Sequence, residues 1–286
     1  MPLRKCKILY RVCALFFALL VVTFALLLGV WIAEFLCEDS ARFVPSYAKE
    51  DLSEVLEKEV WSEEDYAFLY RQTGLGKSAI DGLDRAQIPR FQDALFYEGE
   101  LGHEKVAFAT KRDTLFYSCG EYGEAPVIPL QNGDVLLSFG THSLGWRHGH
   151  VALVVDAERG DVLESAALGK PSKVAFYEVK QFLKMSNFIV LRLKDASLEE
   201  RGEIAQSAKE HLVGIPYSIV TGIFTKKDGG LSPRVTQCAH LVWQAFYNFG
   251  YDIDSNGGGL VLPQDIVRSP LFEVMQVNGC NLDKFC

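Results

Sequence analysis

The chain has 286 residues and 49% of them are hydrophobic, so it can bury the core of one or two domains and is not globally disordered. Its formal net charge is −8, and no Lys/Arg cluster occurs beyond the first dozen residues. That excludes the concentrated basic face that a phosphate backbone requires, so nucleic acid is not an expected partner.

Arg4, Lys5, Lys7 and Arg11 precede an uncharged run from Val12 to Ala33. Its length, roughly 22 residues, matches the ~20 that a helix needs to cross a bilayer. A cleaved signal peptide has a shorter apolar core and small residues at the cut, whereas this run ends in Trp31-Ile32-Ala33-Glu34-Phe35-Leu36-Cys37. The reading is an uncleaved signal-anchor in a single-pass cell-membrane protein. Basic residues before the helix and Glu34, Glu38 and Asp39 after it predict an N-terminus inside and an extracytoplasmic remainder.

Three segments are expected: residues 1–37 as basic stub and anchor, 38–126 as a juxtamembrane extension, and 127–286 as the catalytic domain. In the extension, Leu52, Val55, Leu56, Val60, Tyr66 and Leu69 predict a helix over Lys49–Tyr70, broken by Gly74-Leu75-Gly76. Residues 105–118 predict two short strands around a polar turn. Further strands are predicted at Asp134–Phe139, His150–Val155, Val162–Glu164 and Phe188–Leu193, with a turn over Asp156–Asp161. Helices are predicted over Ser197–Leu212, with a Ser197/Glu200 capping box, and from Thr236 or Gln237 to Phe249, ended by Gly250. The fold class is α+β: a small antiparallel sheet with helices beside it, plus the N-terminal transmembrane helix.

Seven cysteines are present. Cys6 and Cys13 lie at the anchor. Cys37, Cys119, Cys280 and Cys286 could pair in an oxidising compartment, with connectivity open. No cysteine pair has zinc-site spacing. Thr73-Gly74-Leu75-Gly76-Lys77-Ser78 ends like a phosphate-binding loop, but Arg71 stands where its first glycine belongs and no apolar strand precedes it, so no nucleotide is expected.

Cys238 opens an apolar helix, Cys238-Ala239-His240-Leu241-Val242-Trp243. The positive end of a helix stabilises a thiolate, and its free N–H groups can hold an oxyanion. A buried structural cysteine is the competing reading of this helix alone. A thiol nucleophile needs a base, and His142, His148 and His150 cluster. His150 begins an apolar strand, and Glu164 on the next strand could orient its imidazole. His148, two residues away, is the rival base. His240 should point away from Cys238 and is read as structural.

These pieces resemble the NlpC-type branch of papain-like cysteine hydrolases. The matching motifs are Gly214-Ile215-Pro216-Tyr217, Cys238-Ala239-His240-Leu241-Val242, Gly133-Asp134-Val135-Leu136, His150-Val151-Ala152-Leu153 and Glu164. The strand block precedes the Cys helix, so the order is similar to the circularly permuted, YiiX-like subgroup, as is the tail Leu262-Pro263-Gln264-Asp265-Ile266 with Ser269-Pro270. The likeness covers about residues 127–275. Ala152 departs from the usual Gly.

The resemblance implies Cys238 as nucleophile, His150 as base, Glu164 as third member and Tyr217 as a support for the oxyanion. It implies no cofactor and no catalytic metal. The implied activity is hydrolysis of an amide, first among them a peptidoglycan peptide. The permuted order and Cys-x-His also resemble lecithin-retinol-type acyltransferases, which makes a lipid ester or amide the alternative substrate. A binding module with a degenerate cleft is the non-enzymatic alternative.

Overall fold

The computed structural model describes residues 2–36, 42–107, 110–116, 123–143, 146–166 and 169–282. Pro2–Leu36 forms one helix (α1), longer than the apolar run that predicts it. At 1.5 Å per residue it is about 50 Å long. Its stretch Arg11–Gly29 is long and apolar enough to cross a membrane, and Leu15, Phe17 and Phe24 are exposed. An anchor and a signal sequence both meet that description.

The expected helix over 49–70 is two helices, Ser53–Glu57 (α2) and Glu63–Thr73 (α3). The break has a local cause. Ser62 and Asp65 form a capping box, with each side chain accepting the other residue's N–H, and this restarts the helix after an exposed Val60. Gly74, with φ +71°, ends α3 in the left-handed conformation. Lys77–Asp81 (α4) and Ile88–Leu95 (α5) follow.

Strands Leu101–Lys105 (β1), Thr110–Leu115 (β2), Val135–Ser138 (β3), Thr141–Ser143 (β4), His150–Asp156 (β5), Asp161–Glu164 (β6), Lys173–Ala175 (β7), Phe188–Leu193 (β8) and Phe272–Asn278 (β9) make two antiparallel sheets. One has three strands in the order β1-β2-β4; the other has six in the order β7-β6-β5-β3-β8-β9. The remaining helices are Val179–Leu183 (α6), Leu198–His211 (α7), Cys238–Tyr247 (α8) and Pro263–Val267 (α9). Ser197 caps α7 by accepting the Glu200 N–H. The Glu200 carboxylate instead accepts the Tyr251 hydroxyl.

Helices cover both faces of the larger sheet. Val135, Leu137, Val151, Leu153, Ile189 and Leu191 pack with Ile204 and Ala208 of α7 and Leu241, Val242 and Phe246 of α8. The alternate residues Leu136, Ala152, Val154 and Val190 pack with Leu69, Ile80, Ile88 and Phe91 of the N-terminal helices and with Phe182. Burial on both faces explains why these strands read as continuous apolar runs. Residues before 127 thus supply half of the sheet's cover.

Arg42 fixes that cover. Its guanidinium donates to the carbonyls of Ala94 (2.6 Å), Ser186 (2.9 Å) and Tyr97 (3.1 Å), and the Phe43 N–H donates to the Gly279 carbonyl (2.8 Å). Asp134, in the Gly-Asp motif, is also structural: fully buried, it takes a bidentate pair from Arg192 of β8 at 2.7 Å for each contact.

The Gly74-Leu75-Gly76 segment extends the sheet beyond β9. The Val277 N–H donates to Gly74 O (2.7 Å), and the Gly76 N–H donates to Met275 O (2.9 Å). A Cβ on Gly74 would lie 2.1 Å from Val277 O and one on Gly76 1.9 Å from Val274 O. These glycines serve close backbone approach to β9. Gly74→Ala combines that clash with a positive φ, and is expected to lower unfolding free energy by about 2 kcal/mol or more in urea titration.

Candidate active site

Residue 238 stands at the head of a helix because Gln237 is an extended N-cap, with φ −139°. Its Oε1 accepts the Ala239 N–H (2.8 Å) and lies 3.5 Å from Cys238 Sγ, and its Nε2 donates to Val261 O (2.6 Å). Gln237 therefore ties helix, thiol and the 261 loop together. Cys238 is buried. His240 is held on both nitrogens: Nε2 donates to Lys227 O (2.7 Å) and Nδ1 accepts from the Thr236 hydroxyl (2.9 Å). Burial lowers its pKa. It is structural, as its helical position predicts.

Tyr217 reaches the thiol through a short ladder. The Thr236 N–H donates to Pro216 O (3.0 Å) and the Ser218 N–H to Thr236 O (2.7 Å), which sets Gly214–Tyr217 beside the residues preceding Cys238. Burial, and then the negative charge of the Cys238 thiolate, push the Tyr217 pKa up. Its phenol stays protonated and able to donate.

His150 opens β5 opposite Ser138 of β3. On β6, Glu164 lies diagonal to it on the same sheet face, as the pairing of Leu153 with Leu163 dictates. Nε2 of His150 is 2.9 Å from Glu164 Oε2 and the imidazole stacks on Phe182, centroids 5.7 Å apart. Lys173, opposite Glu164 on β7, stands 3.4 Å from Oε1. Cys238 also acts on the imidazole and raises its pKa.

Burial pulls the His150 pKa down, but the hydrogen bonds to Cys238 and Glu164 and their charges outweigh it and raise it to about 9. Burial likewise opposes ionisation of Glu164, and the bond and charge of His150 overcome it, holding the carboxyl at about 2. The arrangement is a buried carboxylate, a proton-holding imidazole and a thiol in series. It can activate the sulfur and later release a proton to a leaving group.

The rival His148 lies elsewhere. Gly149, with φ +74°, breaks the strand between the two histidines, so they do not share a face. His148 Nε2 is 2.9 Å from Ser143 Oγ, and its Nδ1 donates to Gly149 O (2.8 Å). His142 turns to Asp113, at 3.2 Å. The candidates Cys238, His150, Glu164 and Tyr217 thus come together. Gln237, Lys173 and Phe182 join them without a sequence signal of their own, except that Gln237 immediately precedes the helix. Cys37, Cys119 and Cys286 lie outside the described residues. Cys280 is a buried free thiol whose pKa burial pushes up to about 12.

No protein-family model matches the chain, and no curated protein does. Among solved structures it is similar to the metalloprotein yiiX of Escherichia coli O157:H7, at 17% identity and a TM-score of 0.39, over 51% of this chain and 96% of that one. The relationship is distant.

The paired shifts set a pH window. The folded chain holds the His150 proton up to about 9 against an ordinary 6.5, so this stabilisation is full below about pH 6.5 and disappears as pH rises through 9. Glu164 adds stability above about pH 4.5 that is lost as pH falls through 2. Urea titrations should therefore show a plateau between those limits, with an alkaline decline that His150→Ala removes. An unchanged decline would place its origin in another group.

Proposed function

We propose that this protein is a papain-like thiol hydrolase of the permuted NlpC type, held at a membrane by α1 with its domain outside the cytoplasm. The observation that carries this reading is the Cys238–His150–Glu164 series, buried at one end of the sheet. The order of the motifs, strand block before Cys helix, supports the family assignment.

In the proposed reaction, the Cys238 thiolate attacks the carbonyl carbon of an amide. The carbonyl electron pair moves onto oxygen, which accepts hydrogen bonds from the Cys238 N–H and the Tyr217 hydroxyl. The Ala239 N–H is already committed to Gln237. The tetrahedral intermediate collapses, the C–N bond breaks, and the leaving amine takes the proton from His150. Water then attacks the thioester, giving its proton to His150, and the acid leaves as the thiolate reforms. Glu164 holds the imidazole throughout.

The substrate proposed first is a cell-wall peptide, because the motif set is that of peptide-cutting NlpC-type enzymes. A lipid acyl ester or amide is the second reading, and one feature favours it. Ile219, Ile223 and Phe224, in the segment between Tyr217 and α8, are 62%, 54% and 83% exposed.

Full-length protein in detergent should release amine from muropeptides, or amine or alcohol from acyl lipids. Cys238→Ser should abolish turnover, and His150→Ala should lower it by about 10²–10⁴-fold. Tyr217→Phe should reduce kcat more than it raises KM. Undiminished turnover by Cys238→Ser would overturn the proposal.

A further inference from the structure

A second polar cluster lies outside the thiol site. Asp113 of β2 is fully buried, and its Oδ1 receives two imidazoles: His103 Nδ1 of β1 at 2.8 Å and His142 Nε2 of β4 at 3.2 Å. The three ligand atoms lie within 4.8 Å of one another. Each strand of the smaller sheet supplies one residue, and the register explains the convergence. His103 pairs directly with Asp113, and His142 pairs with Lys111, two residues along β2. Residues two apart share a face, so all three side chains project from the same side.

Asp113 is also held in place. Its N–H donates to Gly140 O (2.9 Å), its carbonyl accepts from Ser186 N–H (3.0 Å), and Arg147 ion-pairs with Oδ2. The guanidinium occupies one carboxylate oxygen and the imidazoles converge on the other. That is how a ligating carboxylate is commonly arranged, with an outer donor fixing the oxygen that does not bind. A tetrahedral ion with ligands at ~2.0–2.1 Å needs donor atoms about 3.3 Å apart. The two imidazole nitrogens stand 2.8 Å and 3.2 Å from Asp113 Oδ1, close to that spacing.

We propose that His103, Asp113 and His142 form a binding site for a divalent transition-metal ion, zinc by ligand type, with a further position left for water. Every residue of β1 is exposed, so that strand has no apolar core beneath it. The ion's role is to staple this strand to β2 and β4. It does not enter the thiol chemistry, and the site does not depend on the function proposed above. The sequence reading found no zinc pattern because the ligands are joined by register, not by short spacing.

The test is calorimetric titration of metal-free, full-length protein in detergent with zinc alone. Wild type and Cys238→Ser should each bind one equivalent. His103→Ala, at a side chain 58% exposed and so without consequence for folding, should weaken binding by at least tenfold, the lower end of what loss of even an outer partner costs. Cobalt substitution should give a visible spectrum with no thiolate charge-transfer band, and zinc should slow proteolysis within residues 101–115. The proposal is overturned by no binding, by binding that His103→Ala leaves intact, or by binding that Cys238→Ser removes.

Discussion

The larger sheet is apolar on both faces, and this constraint decides where chemistry can sit. Val135–Leu137, Val151–Val155 and Phe188–Leu191 are buried against helices on each side, so a polar side chain within them would lose water without gaining a partner. In these three strands polar groups stand only at or next to the ends. At one end the C-terminus of β3, the N-terminus of β5, the C-terminus of β6 and the N-terminus of β8 coincide. His150, Ser138, Glu164 and Asn187 all stand there, and α8, packed across β5, brings Cys238 to the same place.

Ionised groups at that depth survive because each is paired. Glu164 is shared between His150 and Lys173, and Asp134 is clamped by Arg192. Removing one partner of such a pair leaves an uncompensated charge, which costs more than the intact pair contributes. Burial also sharpens the chemistry. The bonds that raise the His150 pKa and depress that of Glu164 act in a medium too poor in water to screen them. The same desolvation keeps the Tyr217 hydroxyl protonated.

Much of this was legible in the residue pattern, and the omissions share a cause. The strands at 135–138, 150–156, 161–164 and 188–193 are long apolar runs bounded by turns, and Ser197 announces α7. β9 lacks a sequence signature because Glu273, Gln276 and Asn278 interrupt its apolar residues. Its pairing with β8, some 80 residues earlier by sequence numbering, is what makes it a strand. Apolar spacing persists across the break and so predicts one helix over 49–70, while the Ser62–Asp65 capping box outweighs it locally. In the site, the motifs named Cys238, His150 and Glu164. Lys173 and Phe182 reach them only through cross-strand register and the packing of α6, which no local window contains.

Arg42 gives the molecule a short leash. Five residues separate Leu36, the last of α1, from Arg42, and six fully extended Cα–Cα steps reach about 20 Å. Arg42 is locked to Ser186 and Asn278, at the sheet end that also carries His150. With α1 in a bilayer, the working end of the sheet would patrol a shallow layer above the surface, not the bulk solution. With α1 removed as a signal, the lock would remain, and Arg42 would set the earliest residue the freed domain must keep. A cut on its C-terminal side would strip the carbonyls of Ala94, Tyr97 and Ser186 of their shared donor.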